Sequence, residues 1–164
     1  MTKSLEQQFL KDFDSNQNIA HKICRAYTSD SDSHKDLFQE ITVQLWKAYP
    51  KFRGEAKFST WMYRIALNTA ITIYRKKKRG LQVSKLDDHN IKIPEDTYDR
   101  EIDEQIDRLY LAINQLSDIN KALILLYLEE KPYKEISQIM GISSINARVK
   151  VNRIKEQLKN ILNP

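Results

Sequence analysis

The sequence predicts an all-α protein of two small helical domains joined by an acidic linker, the second domain containing a helix-turn-helix. Only three glycines and four prolines occur in 164 residues, so few positions interrupt a helix. Apolar residues recur at intervals of three and four, as in helices that bury one face. We place the first domain at residues 1–84, the linker at 85–101 and the second domain at 102–164.

Two short helices are predicted before residue 28. Their apolar residues repeat every four positions in two sets, first Leu5, Phe9 and Phe13 and then Ile19, Ile23 and Tyr27. A polar stretch over 28–35 separates them from a helix over 36–48. Opposite its apolar face, that helix carries acids and amides: Asp36, Gln39, Glu40, Gln44 and Lys47. Such a face is either an ordinary solvated surface or a docking surface for a basic partner protein.

The longest predicted helix runs from Phe58 to Arg79, about six turns without glycine or proline. An apolar stripe along it predicts the core face: Phe58, Trp61, Met62, Ile65, Ala66, Thr69 and Ile73. Trp61 lies in the middle of this stripe, so we expect it in the core rather than as a stacking platform. A second strip is polar and basic: Arg64, Asn68, Thr72, Arg75 and Arg79.

Five consecutive cations end this helix: Arg75, Lys76, Lys77, Lys78 and Arg79. They reinforce one another's field and favour a polyanion, because no carboxylate lies within two turns of them along the sequence. For a lysine run alone, a solvated helix end is an equally good interpretation. The Asn68 amide, the Thr72 hydroxyl and the rings of Tyr63 and Tyr74 lie nearby on the same helix and favour nucleic acid as the partner. Such groups track phosphates and stack bases.

The predicted linker is strongly acidic. Residues 87–107 hold nine acidic residues against two basic ones, and Pro94 interrupts the run. The stretch is either a passive tether or an acidic strand that takes the place of nucleic acid in a basic channel. Helical spacing resumes at Ile102, where we place the start of the second domain.

A helix-turn-helix is predicted near the C-terminus. Ser117 is placed to cap an apolar helix over 121–128, and a short helix over 133–140 is followed by Gly141, which permits a left-handed turn. The last helix has regularly spaced apolar anchors. Between them lie the side chains that we predict to face DNA: Ser144, Asn146, Arg148, Val149, Lys150, Asn152 and Arg153. An ordinary helical hairpin is the alternative, but it does not need basic and amide residues at one end of one helix.

Composition excludes several classes of protein. The net charge of +5 and the pI near 9.2 favour an anionic partner, with nucleic acid the leading candidate. Cys24 is the single cysteine, so we expect no disulfide but a buried thiol in a reducing compartment. His21, His34 and His89 lie far apart in the sequence, and we expect neither a metal nor another cofactor.

The sequence also predicts neither an enzyme nor a membrane protein. We find no acidic cluster suited to two metals and no Ser-His or Cys-His arrangement, and therefore predict no catalytic residue. The longest apolar run, residues 122–128, is too short to cross a bilayer, and we see no signal peptide. We expect a cytoplasmic protein.

Three motifs in order resemble those of the extracytoplasmic-function type of bacterial RNA polymerase sigma factors, over nearly the whole chain. Residues Asp36–Trp46 are similar to the family's core-polymerase-binding motif. Residues 52–54 and Phe58–Asn68 are similar to its promoter-melting motif, and residues 133–143 to its helix-turn-helix. The chain departs from the family at Thr72, where an acid is common, and at Asn146-Ala147, where many members have Thr-Val.

This resemblance implies specific partners and sites. Core RNA polymerase would contact Asp36, Gln39, Glu40 and Gln44. The minus-ten element would be bound and opened by Arg64, Asn68, Thr72, Arg75, Lys76, Lys77, Lys78 and Arg79, with the loop over 80–85. The minus-thirty-five element would be read as duplex by the seven residues of the last helix given above, and an anti-sigma factor is a possible further partner.

The alternative is a stand-alone helix-turn-helix regulator that binds duplex DNA without polymerase. It leaves the polar face of residues 36–46 and the basic strip unexplained. We therefore expect an alternative sigma factor that confers promoter specificity on RNA polymerase.

Overall fold

The computed structural model describes residues 2–80 and 100–164, so most of the predicted linker, and all but the first residue of the loop over 80–85, lie outside the described residues. Within these two ranges seven α-helices follow one another: α1 Thr2–Tyr27, α2 Ser31–Ala48, α3 Phe58–Gly80, α4 Arg100–Asn114, α5 Asp118–Leu128, α6 Tyr133–Met140 and α7 Ser144–Leu162. A 3₁₀ turn, Tyr49–Lys51, follows α2. Helices α1, α2 and α3 form one bundle and α4 to α7 a second, which confirms the predicted all-α, two-domain architecture.

The prediction of two short helices before residue 28 was wrong, because α1 is continuous. Phe13 and Ala20 are seven residues apart, which is about two helical turns, so the two apolar sets share one buried face. The polar residues between them do not break the helix. Ser15 and Asn16 donate side-chain hydrogen bonds to the carbonyls of Lys11 and Asp12, one turn back.

Helix α2 starts five residues earlier than predicted. Asp30 caps it by accepting a hydrogen bond from the Ser33 amide at 2.7 Å. Its buried side chains, Leu37, Ile41 and Leu45, pack into the first bundle. The side of α2 opposite these residues carries polar side chains that are exposed or half-buried.

Helix α3 buries more of its surface than the predicted stripe. Met62 and Ala66 are fully buried as expected, but Phe58, Trp61, Ile65, Thr69 and Ile73 are only partly buried. The additional buried side chains are Thr60, Tyr63, Leu67, Ala70 and Ile71. Helix α3 packs against α1 and α2 and also against α5 and α6 of the second bundle, so more than one of its faces is covered.

An aromatic cluster holds the chain between α2 and α3. Trp61 packs against Tyr49, Phe52 and Phe58 with ring centroids 5.0 to 6.1 Å apart. Each ring shields its neighbours from water, and such pairs add to area burial. Trp61 is therefore a packing residue, as predicted, although it is not fully buried.

The second bundle contains the predicted helix-turn-helix, α6 followed by α7. Ser117 caps α5 by accepting from the Asn120 amide at 3.3 Å, and Ser143 caps α7 in the same way. Gly141 has φ +70° between the two helices, which confirms the left-handed turn. On α6, Ile136 and Ile139 are buried and Met140 is only partly buried.

The two bundles are in contact through α1 and α3 on one side and α4, α5 and α6 on the other. Ion pairs join Lys22 to Glu129 and Arg25 to Asp107. The Tyr27 hydroxyl donates to the Asp118 carbonyl at 2.6 Å. The acidic residue Asp107, which the sequence placed at the end of an acidic run, is thus an interdomain contact.

Candidate nucleic-acid and polymerase interfaces

The four residues predicted to bind polymerase lie on the outer side of α2. Asp36 and Gln39 are exposed, whereas Glu40 and Gln44 are half-buried. The Gln44 side-chain amide donates to the Glu40 carboxylate at 2.9 Å, which fixes both side chains along the helix. Because the opposite side of α2 is anchored in the core, this face presents acids and amides at fixed positions.

A groove of about 670 Å³ separates α2 from α3. Its α2 wall carries Asp36, Glu40 and Gln44, and its α3 wall carries polar and basic residues: Asn68, Thr69, Thr72, Lys76 and Lys77. The structure therefore brings part of the predicted polymerase-binding set next to part of the predicted minus-ten set. The sequence did not predict this juxtaposition, since periodicity does not show which helix lies beside which.

The residues of the predicted basic strip of α3 do not all face the same surroundings: some face the groove and others face the second bundle. Residues four apart on a helix are turned by about 40°, so Asn68, Thr72 and Lys76 turn progressively toward the groove. Arg64 and Arg75 instead face the second bundle, where Arg64 donates to the Gln138 carbonyl at 3.2 Å and Arg75 pairs with Asp118. All eight predicted minus-ten residues are exposed to some extent, but they do not form one uniform strip.

Neither tyrosine near the strip is an open stacking surface, which corrects the interpretation of their rings as base-stacking groups. Tyr63 is only 1% exposed, and burial, together with the nearby Glu129 carboxylate, raises the pKa of its hydroxyl. Tyr74 packs edge-on against Tyr27 at 5.9 Å. Both rings are used in packing, with Tyr63 set among Glu129, Tyr110 and Glu135 of the second bundle.

Lys121 is a functional candidate that the sequence analysis missed. It lies within the apolar run of α5 and is only 1% exposed. Its ammonium is 4.2 Å from the centroid of the Tyr74 ring and 5.3 Å from that of Tyr27. Burial, reinforced by the charge of Lys78, lowers the pKa of Lys121 to about 8. A lysine inside an apolar helical run is the signal that could have identified it, since lysine is rarely buried.

Asp118 connects Lys121 to the basic strip. Burial alone raises the pKa of Asp118, but hydrogen bonds from the Arg75 guanidinium and the Ile119 amide outweigh it and lower that pKa. Asp118 also begins α5, where a negative charge is favoured by the helix dipole. The contact between α3 and α5 therefore combines an ion pair with a buried cation over two rings.

Two histidines that are 13 residues apart in sequence meet in the structure. His21 Nδ1 and His34 Nε2 are 3.2 Å apart, and His21 stacks on Phe38. Burial and the neighbouring His21 lower the pKa of His34. Within residues 2–80 and 100–164, no group of three or more His, Cys, Asp or Glu side chains is placed to hold a metal ion.

The predicted reading face of α7 points to solvent. Six of its seven residues are exposed and Lys150 is half-buried. Arg148 lies over the Tyr133 ring with its guanidinium carbon 5.2 Å from the centroid. The opposite face is anchored by Ala147, Val151 and Ile154, which are fully buried. Ile145, which the sequence analysis left out of this site, is also exposed there.

Comparison with known families identifies the two bundles. Residues 13–80 match the model of Sigma-70 region 2, and residues 106–158 match that of Sigma-70, region 4. Together these segments span most of the chain in the order found in this class. The chain belongs to the sigma-70 family. Members are non-catalytic transcription initiation factors, and core RNA polymerase and promoter DNA are their partners.

Curated relatives place the chain more narrowly, in the extracytoplasmic-function type of this family. It is 28% identical over 161 residues to the ECF RNA polymerase sigma-E factor of Haemophilus influenzae, covering 90% of this chain and 84% of that protein. It is 28% identical over 149 residues to the RNA polymerase sigma-H factor of Pseudomonas aeruginosa (84% and 77% covered). It is 29% identical over 142 residues to the ECF RNA polymerase sigma-E factor of Escherichia coli K12 (79% and 73% covered).

Two solved structures share the fold. One is the sigma factor RpoE in complex with the anti-sigma factor NepR from Bartonella quintana, with a TM-score of 0.75 and 20% identity, covering 98% of this chain and 97% of that one. The other is CnrH in complex with the cytosolic domain of CnrY, with a TM-score of 0.69 and 17% identity, covering 96% of this chain and 89% of that one.

Among the described residues, no helix is long and apolar enough to span a membrane.

Proposed function

We propose that this chain directs core RNA polymerase to a specific set of promoters in the bacterial cytoplasm, with each helical face given one task. The outer face of α2, with Asp36, Gln39, Glu40 and Gln44, binds the polymerase. The α3 strip opens the minus-ten element, and α7 reads the minus-thirty-five element as duplex. The observation that carries this proposal is the groove where the polar faces of α2 and α3 meet, because it brings residues of the predicted polymerase-binding set and of the predicted minus-ten set to one place.

Strand opening follows from the chemistry of the α3 wall. Unstacking costs a few kcal/mol per base step, and groups that hold the displaced strand offset that cost. Asn68 can donate to and accept from an exposed base edge. The Thr72 hydroxyl already donates to the Asn68 carbonyl at 2.8 Å, so its oxygen remains available as an acceptor. Lys76 and Lys77, further along the same wall, would follow the phosphates.

The domain division serves the same task. In this proposal residues 1–84 hold polymerase and the minus-ten element, residues 85–101 connect the domains, and residues 102–164 hold the minus-thirty-five element. A connection of about 17 residues can span roughly 55 Å when extended, so both modules can bind one promoter at once and strengthen each other's binding. Arg64 and Arg75 would exchange the Gln138 carbonyl and Asp118 for DNA phosphates.

An anti-sigma factor is a further partner in this proposal. Both similar solved structures are complexes of two proteins, and in one of them a sigma factor is bound to an anti-sigma factor. Acidic and amide groups on α2 suit a basic partner, and only one protein can occupy that face at a time. Such a partner would therefore compete with polymerase.

Transcription from a promoter library by purified core polymerase, with and without the protein, tests the proposal. We expect promoter-specific transcripts only when the protein is present. The variant Gln39→Ala with Glu40→Lys should leave folding nearly intact, because Gln39 is exposed and Glu40 lies half-buried on the outer side of α2, away from the core where substitutions cost most stability. It should bind polymerase more slowly and with altered salt dependence. A protein that binds duplex DNA but never changes initiation, with or without these substitutions, would instead be a stand-alone regulator.

A further inference from the structure

Ile145 is the most exposed large hydrophobic side chain among the described residues, at 80%. It is the second residue of α7, directly after the capped N-terminus. Val149, one turn later on the same side of the helix, is 42% exposed. Two apolar side chains therefore lie next to each other on the face of α7 that points away from the core.

Polar side chains surround this apolar pair. At 100° per residue, Asn146 and Arg153 flank it on one side of the helix, and Arg148 and Asn152 flank it on the other. All four are exposed. The surface thus has an apolar centre with a rim of cations and amides, at the end of the helix that follows the turn of the helix-turn-helix.

Packing within the chain does not account for the pair. An exposed isoleucine forgoes the stabilisation that burial of its side chain would provide. Single exposed apolar residues are common on protein surfaces, but Ile145 and Val149 stand together, and the charged rim makes the site unsuited to an apolar protein partner. A ligand that matches it must combine negative charge and hydrogen-bonding edges with small apolar groups.

Duplex DNA has this combination in the major groove. Phosphates line the groove, base edges present donors and acceptors, and the 5-methyl group of thymine supplies an apolar contact. The N-terminal residues of a recognition helix are those that approach base edges, which is where Ile145 and Val149 lie. We propose that these two side chains contact thymine methyl groups and so select A·T pairs at two positions of the minus-thirty-five element.

This inference rests on the proposed function, because it concerns the duplex that α7 reads. The test uses the holoenzyme and a promoter obtained from the library experiment. Each thymine of the minus-thirty-five element, on either strand, is replaced in turn by uracil, which lacks only the methyl group. Affinity for each duplex is measured at one fixed salt concentration, since phosphate contacts make affinity salt-dependent.

We expect the wild-type protein to lose about fourfold in affinity at two positions, the factor that corresponds to one buried methyl group. Ile145→Ala should bind the thymine duplex more weakly by a similar factor. It should also become insensitive to uracil at one of these positions while keeping the full loss at the other. Val149→Ala should show the reverse pattern, because each side chain contacts its own methyl group.

Leu162→Ala is the matched control, since Leu162 is a 41% exposed apolar residue at the opposite end of the same helix. It should leave every uracil effect unchanged. The proposal is overturned if wild type shows no uracil effect, or if Ile145→Ala and Val149→Ala retain both effects in full. Weaker polymerase binding by these variants with unchanged uracil effects would assign the pair to a protein contact. Absence of promoter-specific transcripts with the wild-type protein would overturn the proposed function itself.

Discussion

Helices α3 and α7 carry similar polar side chains, but they differ in what those side chains touch. Arg64 and Arg75 of α3 are engaged by the second bundle through the Gln138 carbonyl and Asp118. The contacts of the α7 reading face lie within its own domain, such as that of Arg148 with Tyr133. Composition alone would rank the two surfaces as equally accessible. In the structure the predicted reading face of α7 is exposed as it stands, whereas Arg64 and Arg75 of α3 would first have to exchange partners before they could bind DNA.

The largest effect is expected from removing charge at the end of α3. Replacing Arg75, Lys77 and Arg79 by Ala should slow strand opening by at least about 100-fold, because even one charge-assisted contact contributes about 1.5–3 kcal/mol and the variant removes three cations. Closed-complex formation should change little, because α7 and polymerase still hold the promoter. Permanganate reactivity of unpaired thymines, measured on duplex and pre-opened templates, checks this.

Pre-opened DNA should restore transcription by this triple variant. Lys11, Lys51 and Lys159, three exposed lysines elsewhere in the chain, provide a control with the same loss of charge when they are replaced by Ala. If a bubble gives no rescue while closed-complex binding collapses, α3 is a general phosphate anchor and the assignment of strand opening to it is wrong.

A smaller effect is expected from opening the contact between the bundles. Asp107→Lys with Glu129→Lys turns two interdomain ion pairs into repulsions without altering a predicted DNA contact. Exposed pairs contribute up to about 1 kcal/mol each, or up to about 2 kcal/mol for the two, so the variant by itself, without polymerase, should bind forked minus-ten DNA up to about 30-fold more tightly. Its radius of gyration, measured by small-angle X-ray scattering, should also increase.

The control variant Glu101→Lys with Glu156→Lys makes the same change of charge at exposed positions. It distinguishes an effect of domain opening from an effect of net charge. If the control binds forked DNA as tightly as the variant does, net charge rather than domain opening is responsible. If the variant binds more weakly than wild type, the closed arrangement does not limit access to α3.

Much of the fold follows from the sequence because local signals specify helices. The absence of glycine and proline predicted α3 within one residue at its end, and Ser117 and Gly141 marked a cap and a turn that the structure confirms. The burial of Tyr63 and Lys121 was not predicted. Periodicity shows that a face is buried, but not that a distant segment covers it. Both residues are covered by contacts between bundles, more than 45 residues apart in sequence.

The contact of Lys121 between the two bundles can be tested by measuring the free energy of unfolding. Its pKa of about 8, against an ordinary value of 10.5, corresponds to roughly 3 kcal/mol of unfavourable burial of charge. Attraction to the Tyr74 and Tyr27 rings returns about 0.5–2 kcal/mol. We therefore expect Lys121→Met to raise the free energy of unfolding at pH 7 by about 1–2 kcal/mol.

The sign of the pH dependence follows from the lowered pKa. Below pH 8 Lys121 is charged in both the folded and the unfolded chain, so the free-energy cost of burying its charge is present in full. Between pH 8 and 10.5 the folded protein releases the proton first, and stability rises with pH. Urea unfolding should therefore show a smaller advantage for Lys121→Met at pH 10 than at pH 7. The control Lys159→Met, at an exposed position, should show no such change with pH. If Lys121→Met is less stable than wild type at pH 7, the attraction of the ammonium to the tyrosine rings outweighs the cost of burying its charge.

The smallest effect is expected on α7, where Lys150 should contact phosphate rather than a base. Lys150 is half-buried and, at 100° per residue, lies about 140° around the helix from Ile145, so we expect it at the rim of the reading surface and not at its exposed centre. Lys150→Ala should weaken binding to matched and scrambled duplexes alike and reduce the salt slope of log affinity by about one. Arg148→Ala, at an exposed position nearer the centre, should instead cost more on the matched duplex than on the scrambled one. Equal salt slopes for wild type and Lys150→Ala would remove Lys150 from the DNA-binding surface, and α7 would then depend on fewer phosphate contacts than α3.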